Sequence, residues 1–196
     1  MPYSVDVVGG RYRMRGEFHS IEPNQPIRNE EGKLCGVTNP RRLVHTHSYG
    51  GEQEFFDGVA QGRLLGTRCD NADCEVGYQS VFIPFRTHCP DCLQRMTTVD
   101  LTEVAKRSGS VHSFMITERT GAFNTLEKPI KFVNIEFEGV CTILMGYLLR
   151  GEPAIGDRVV PIFATRSPTY TILDLAWVPE GTPESDLPEG FSFSRG

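Results

Sequence analysis

The 196-residue sequence lacks any run approaching the roughly 20 apolar residues needed to cross a bilayer, which argues against a transmembrane helix. Its opening stretch, MPYSVDVVGGRYRMRG, lacks the apolar middle of a secretory signal, so a cytoplasmic location is expected. Uninterrupted helical periodicity is also scarce: 20 Gly and 13 Pro break the chain too often for a helical bundle. Basic residues are sparse beyond the first 50 positions. Residues 1–50 carry seven Lys or Arg against five Asp or Glu, which leaves thirteen against twenty, a net −7, for residues 51–196. So acidic a body disfavours bulk binding of nucleic acid.

Cysteine is infrequent but clustered. Of six, four fall in one short stretch as Cys69, Cys74, Cys89 and Cys92, separated by four, fourteen and two residues. In a reducing compartment two close pairs read as metal ligands rather than disulfides. Each pair comes from one tight turn, and four thiolates suit tetrahedral zinc. The strand-like YQSVFIPF between them fits a small ribbon that needs the metal to fold. The four-residue gap in CDNADC is wider than the common two, and His88 beside Cys89 is an alternative ligand. A redox pair is disfavoured because no thioredoxin-like βαβ pattern surrounds it.

Residues 1–50 show no sustained period and are expected to form an extended arm. His45 and His47 stand at strand spacing on one face and are read as surface or interface side chains, with metal ligation the alternative. Cys35, which has no cysteine neighbour, is expected to be structural or solvent-facing. Residues 51–65 place Phe55, Phe56, Val59 and Ala60 on one helical stripe, with Gly62 as terminator. Phe55 and Phe56 can cover the chain's own core, but adjacent residues point about 100° apart, so one of them is expected to face something else and the pair are candidate anchors for a partner interface. The ribbon spans 66–97. From 98 to 178 the pattern is of strands: VHSFMIT (111–117), VNIEFE (133–138), VCTILMGYLL (140–149), RVVPIFAT (158–165) and YTILDLAW (170–177). VNIEFE alternates strictly, with Val133, Ile135 and Phe137 on one face. Five short antiparallel strands fit an OB-fold barrel. Cys141 is expected to be buried in an apolar strand and inert. Residues 179–196 form an acidic, turn-rich tail that, like the arm, is expected to need another surface to become ordered.

The series GTRC, VFIPFRTHCPDC, GSVHSFMITERT, EGVCTILMGYLL and IGDRVVPIF, over residues 52–166, resembles the acyl-CoA-associated proteins that join a rubredoxin-like zinc ribbon to an OB-fold. The sequence departs from that pattern at Phe85, where a second proline is common, and in its long arm and wide first turn. Arm and tail together look most similar to the zinc-finger subunit of a degradative thiolase. The resemblance implies a non-catalytic subunit that assembles with a thiolase-fold enzyme, holds structural zinc and shares coenzyme A or acyl-CoA with its partner. Arg63, Arg68, Arg86 and Arg95 flank the ribbon and are candidates for the nucleotide phosphates, unless they only pair with Asp70, Asp73 or Asp91. Two other classes remain open. A nucleic-acid-binding ribbon and barrel would need more lysine than strands bearing Glu118, Glu136, Glu138 and Asp174 provide, and a rubredoxin-like electron carrier would hold iron.

Overall fold

A computed structural model describes residues 4–15, 18–20, 22–43, 46–118 and 125–194, which divide into two compact units, residues 1–50 and 51–196. The predicted class, a mainly β chain with a short helix, a cysteine ribbon and a five-stranded barrel, is what it shows.

The first unit has more regular structure than its sequence period suggested. Strands β1 (Ser4–Val8) and β2 (Arg11–Arg15) form an antiparallel hairpin. Gly9 and Gly10, at φ +57° and +73°, supply the two left-handed residues that a tight two-residue turn demands. β3 (Phe18–Ser20) pairs with β6 (Arg41–Leu43), and between them β4 (Pro26–Arg28) pairs with β5 (Leu34–Val37). None of the side chains described in this unit is buried, and Val7, Leu34 and Val37 are largely exposed. Its strands are hydrogen-bonded, but it has no described core of its own. His45 lies outside the described residues; His47 is exposed.

The second unit begins with α1 (Gln53–Ala60). Gly62, at φ +78°, stops the helix short of the predicted residue 65, and Leu64 and Leu65 turn into the core instead. Phe55 is buried in the chain's own core, which removes it from any partner interface, while Phe56 is partly buried with its ring edge-on to Phe55 at 5.3 Å. β7 (Leu65–Arg68), β8 (Val81–Phe82) and β9 (Thr97–Asp100) form the ribbon's sheet in the order β8-β7-β9. A boundary at 97/98 therefore falls inside β9. This strand runs straight into α2 (Thr102–Ser108), a helix absent from the expectation. Arg158 holds its C-terminal end, with a guanidinium that donates to the carbonyls of Lys106, Arg107 and Gly109.

The barrel strands are β10 (Ser110–Thr117), β11 (Ile130–Glu136), β12 (Leu144–Leu148), β13 (Val159–Phe163) and β14 (Leu175–Pro179). Their order is β10-β11-β12-β14-β13; β12 runs parallel to β14, and the other pairs are antiparallel. A bridge between Ser110 and Arg158 returns β13 to β10, with Val111 N–H donating to the Asp157 carbonyl at 2.9 Å. This five-stranded Greek-key closure is the OB-fold.

Val133, Ile135 and Phe137 all enter the main core, as their alternation predicted, together with Val111, Phe163 and Trp177. The expected strand from Tyr170 instead starts as a short 3-10 turn (Ile172–Asp174), because the Thr171 and Asp174 side chains cap it reciprocally. The tail also departs from expectation. Leu187, Phe191 and Phe193 pack on a second cluster formed by Ile130, Phe132, Tyr147, Ile162, Ala176 and Val178, and Ser192 exchanges two backbone hydrogen bonds with Phe163. Its ordering needs no partner, because two phenylalanines at alternate positions cover the outside of the barrel.

Candidate metal centre

The hairpin joining β7 to β8 carries the first pair of cysteines. Cys69 N–H donates to the Ser80 carbonyl and Gln79 N–H to the Cys69 carbonyl, so Cys69 ends the paired strand. The two extra residues before Cys74 are absorbed by a turn on Asn71, whose carbonyl accepts from Cys74 N–H and whose side chain accepts from Asp73 N–H. The second pair lies on a tighter loop, in which Leu93 N–H donates to the Cys89 carbonyl and Cys89 N–H to the Gln94 carbonyl.

These turns bring the four Sγ atoms within 4.8 Å of one another, with Cys69–Cys92 at 3.8 Å and Cys74–Cys89 at 3.9 Å. Four sulfurs about 2.3 Å from a tetrahedral zinc would stand about 3.8 Å apart, so the spacing fits that ion. Three of the four cysteines are buried, over a small cluster of Phe82 and Met96. His88 is exposed, its Nδ1 lies 2.9 Å from Thr87 Oγ1, and it does not belong to the cluster.

The thiols are unequal before any ion enters. The Asn71 side chain, then the Gln94 backbone, pull the Cys92 thiol down to about 6, so it is mostly thiolate at neutral pH. Asn71's backbone lowers Cys69 too, but burial and the neighbouring thiols outweigh it and push Cys69 up to about 12. Burial raises Cys74 as well. A divalent ion entering at pH 7 must therefore displace the protons of Cys69 and Cys74, and its affinity climbs with pH.

Two residues escaped notice in the sequence. A Cβ built on Gly77 would come within 2.9 Å of Cys89 Sγ, 3.0 Å of Cys74 Sγ and 2.8 Å of Asp91 Oδ2. Gly77 N–H also donates to Cys74 Sγ at 3.2 Å, a bond that favours the thiolate. Gly77→Ala is expected to weaken zinc binding at least about tenfold, since backbone and sulfurs cannot both keep their places. Competition with a colorimetric chelator measures it, and unchanged affinity would mean the sulfurs relax freely. Leu93 is the other. It occupies the left-handed region at φ +60°, at a steric cost of about 1 kcal/mol for a residue with a Cβ. A glycine in the third position after a Cys signals the first; nothing local marks the second.

The four arginines are held separately. Arg68 makes two hydrogen bonds to Asp70, the pairing foreseen as the alternative to phosphate, while Arg63 stands 3.8 Å from Asp100. Arg86 lies over the Phe82 ring at 5.6 Å, and Arg95 bridges to His88 through the backbone. Arg63 lines a cavity of about 350 Å³ that also holds Glu54, Asp57 and Asp100, a setting that repels phosphate. Cys35 is exposed, its thiol donating to the Lys33 carbonyl. Cys141 is exposed too, contrary to the expected buried strand. Gly139, at φ +73°, and the Cys141 N–H bond to the Val81 carbonyl hold residues 137–143 as a loop, and β12 starts only at Leu144.

Fold and site together define a chain in which a closed four-cysteine ribbon, compatible with zinc, is fused to an OB-fold barrel. A structure described as "Ltp2-ChsH2(DUF35) aldolase" shares this fold with a TM-score of 0.50 at 22% identity, over 70% of this chain and 98% of that one. A second, a DUF35-family protein of unknown function from Sulfolobus solfataricus, aligns with a TM-score of 0.47 at 21% identity, over 65% of this chain and 84% of that one. No family profile and no curated protein matches the sequence. Among the described residues no helix is long and apolar enough to cross a membrane.

Proposed function

We propose that this chain is a non-catalytic zinc-finger and OB-fold subunit of a thiolase-type acyl-CoA acyltransferase complex, supporting assembly of its enzyme partner. The observation that carries the reading is the fusion of a closed cysteine ribbon to an OB barrel, an architecture shared with a DUF35 chain whose structure is described together with an aldolase. The chemistry of the residues agrees. Thiolysis needs an activated cysteine beside acid and base groups. Four of the six cysteines fill the cluster, and among the described residues no hydrogen bond joins Cys35 or Cys141 to a base. The thiolase-fold partner supplies the nucleophile, and zinc in the ribbon is structural.

The finer reading is the zinc-finger subunit of benzoylsuccinyl-CoA thiolase, the enzyme that ends anaerobic toluene breakdown, and it rests on the long arm and tail. Val7, Leu34 and Val37 of the arm's strands are exposed and call for a covering surface, which the partner provides. Coenzyme A enters this picture through the partner, since the chain's own arginines do not converge.

The test is to express this chain and a thiolase-fold protein encoded beside it, separately and together. Together they are expected to elute as one complex with thiolase activity on an aromatic acyl-CoA thioester; this chain alone is inactive and the other poorly active or insoluble. Catalysis by this chain alone, or failure of the two to associate, overturns the reading.

A further inference from the structure

Leu93 is costly to the free chain twice over. Its backbone sits in the left-handed region that glycine enters freely, and its side chain is 74% exposed. Glycine at the same place would relieve the backbone and withdraw apolar surface from water. Neither cost helps the ribbon to fold, so the reason for Leu93 lies in something that it touches outside the chain.

The other knuckle also exposes apolar side chains, without the backbone strain. Val76 is 78% exposed and Tyr78 51%, on either side of the buried Gly77. The two knuckles abut there: the space beside Gly77 Cα is filled by the Asp91 carboxylate and the Cys89 sulfur, and Leu93 follows two residues after Asp91. Apolar surface at this end of the ribbon is accompanied by three acids, Asp73, Glu75 and Asp91, against one exposed base, Arg95, two residues after Leu93. Asp70 is paired with Arg68, but no ion pair among the described residues involves those three.

We infer that the tip of the ribbon is a docking face for the thiolase-type subunit, recognising on it an apolar spot flanked by lysine or arginine; this rests on the function proposed above. Charge selects the occupant. Phosphates of a nucleic acid would be repelled by Asp73, Glu75 and Asp91, and a second copy of the chain docking tip to tip would set these acids against their own kind. A basic-rimmed protein surface satisfies both the apolar residues and the acids.

Leu93→Gly separates docking from folding, since it is the substitution the backbone favours. With the zinc-loaded full chain and the purified thiolase-fold subunit, Leu93→Gly is expected to keep full zinc content and an equal or higher melting temperature while weakening the complex about tenfold or more. Asp91→Lys is expected to slow association, and Ile155→Ser, at a comparably exposed position away from the ribbon, to leave affinity unchanged. Affinity within twofold of wild type for Leu93→Gly, equal losses for Leu93→Gly and Ile155→Ser, or preferential binding of the tip to duplex DNA would overturn the inference while leaving the accessory role in place. Failure of the wild-type chain to bind that subunit at all would sink both.

Discussion

Cys92→Ala is expected to abolish stoichiometric zinc and to unfold the ribbon, and with it to abolish the proposed complex with an enzyme partner. The ribbon's own apolar cluster beyond its cysteines is Phe82 and Met96, at about 1.5–3 kcal/mol for each such side chain removed from water. Binding of a structural zinc in comparable small modules contributes about 10–16 kcal/mol, so the ion dominates the local balance. Removing Cys92 leaves three sulfurs, two of them in thiols that hold their protons tightly. Elemental analysis of the purified chain and hydrogen exchange over residues 66–97 measure the two effects. The ribbon assignment falls if the native protein contains neither zinc nor iron, or if the variant keeps the protection of the wild type.

The second large effect lies in the barrel. Trp177 is fully buried on β14, its ring tilted 5.8 Å from that of Phe137, and it leans on the bare backbone of Gly146 in β12. A Cβ on Gly146 would come 2.5 Å from Trp177 Nε1 and 2.7 Å from its Cδ1. The indole has nowhere to go within a closed barrel. Gly146→Ala is therefore expected to cost about 1–3 kcal/mol by overpacking, and Trp177→Ala about 3–5 kcal/mol through the cavity it leaves. The two should not add: once the indole is gone the alanine meets empty space, and the double variant should be close in stability to Trp177→Ala alone. Denaturant titration of the single and double variants tests this, and simple additivity would show that Gly146 and Trp177 do not interact.

The strands were legible wherever one face is buried and the other wet. Val133, Ile135 and Phe137 announced β11 through their alternation, but its first half was missed because Ile130 and Phe132 face the second cluster and spoil the period. The cysteine cluster was legible because two close pairs of thiols are the spacing a tetrahedral metal site requires, and the four sulfurs do converge. Cys141 was misjudged for a different reason. An apolar run reads as buried, yet Ile143 and Met145 are exposed, and Gly139 delays the strand past the cysteine. In the tail, acidic and turn residues outnumber the apolar ones and obscured Phe191 and Phe193, although two large rings suffice to fix a short segment. Helix α2 went unnoticed because it is short and buries little besides Thr102 and Ala105; Arg158, distant in sequence, secures its end. The arm's Gly-Gly turn was visible and was passed over.

The Thr142 hydroxyl accepts from Ile83 N–H at 2.8 Å and donates to the Ile83 carbonyl at 2.6 Å, while Cys141 N–H grips the neighbouring Val81 carbonyl. Ile83 and Phe85 at the base of the ribbon share one core with Val111 and Trp177 of the barrel, and β9 passes into α2 with only Leu101 between them. Ribbon and barrel are thus welded without a hinge. A protein held at the tip of the ribbon would find the barrel already aimed, at a bearing set when the chain folds rather than when the two meet. Such a part behaves as a set square: it fixes an angle, and any insertion between residues 97 and 101 that preserved both halves would still spoil the alignment.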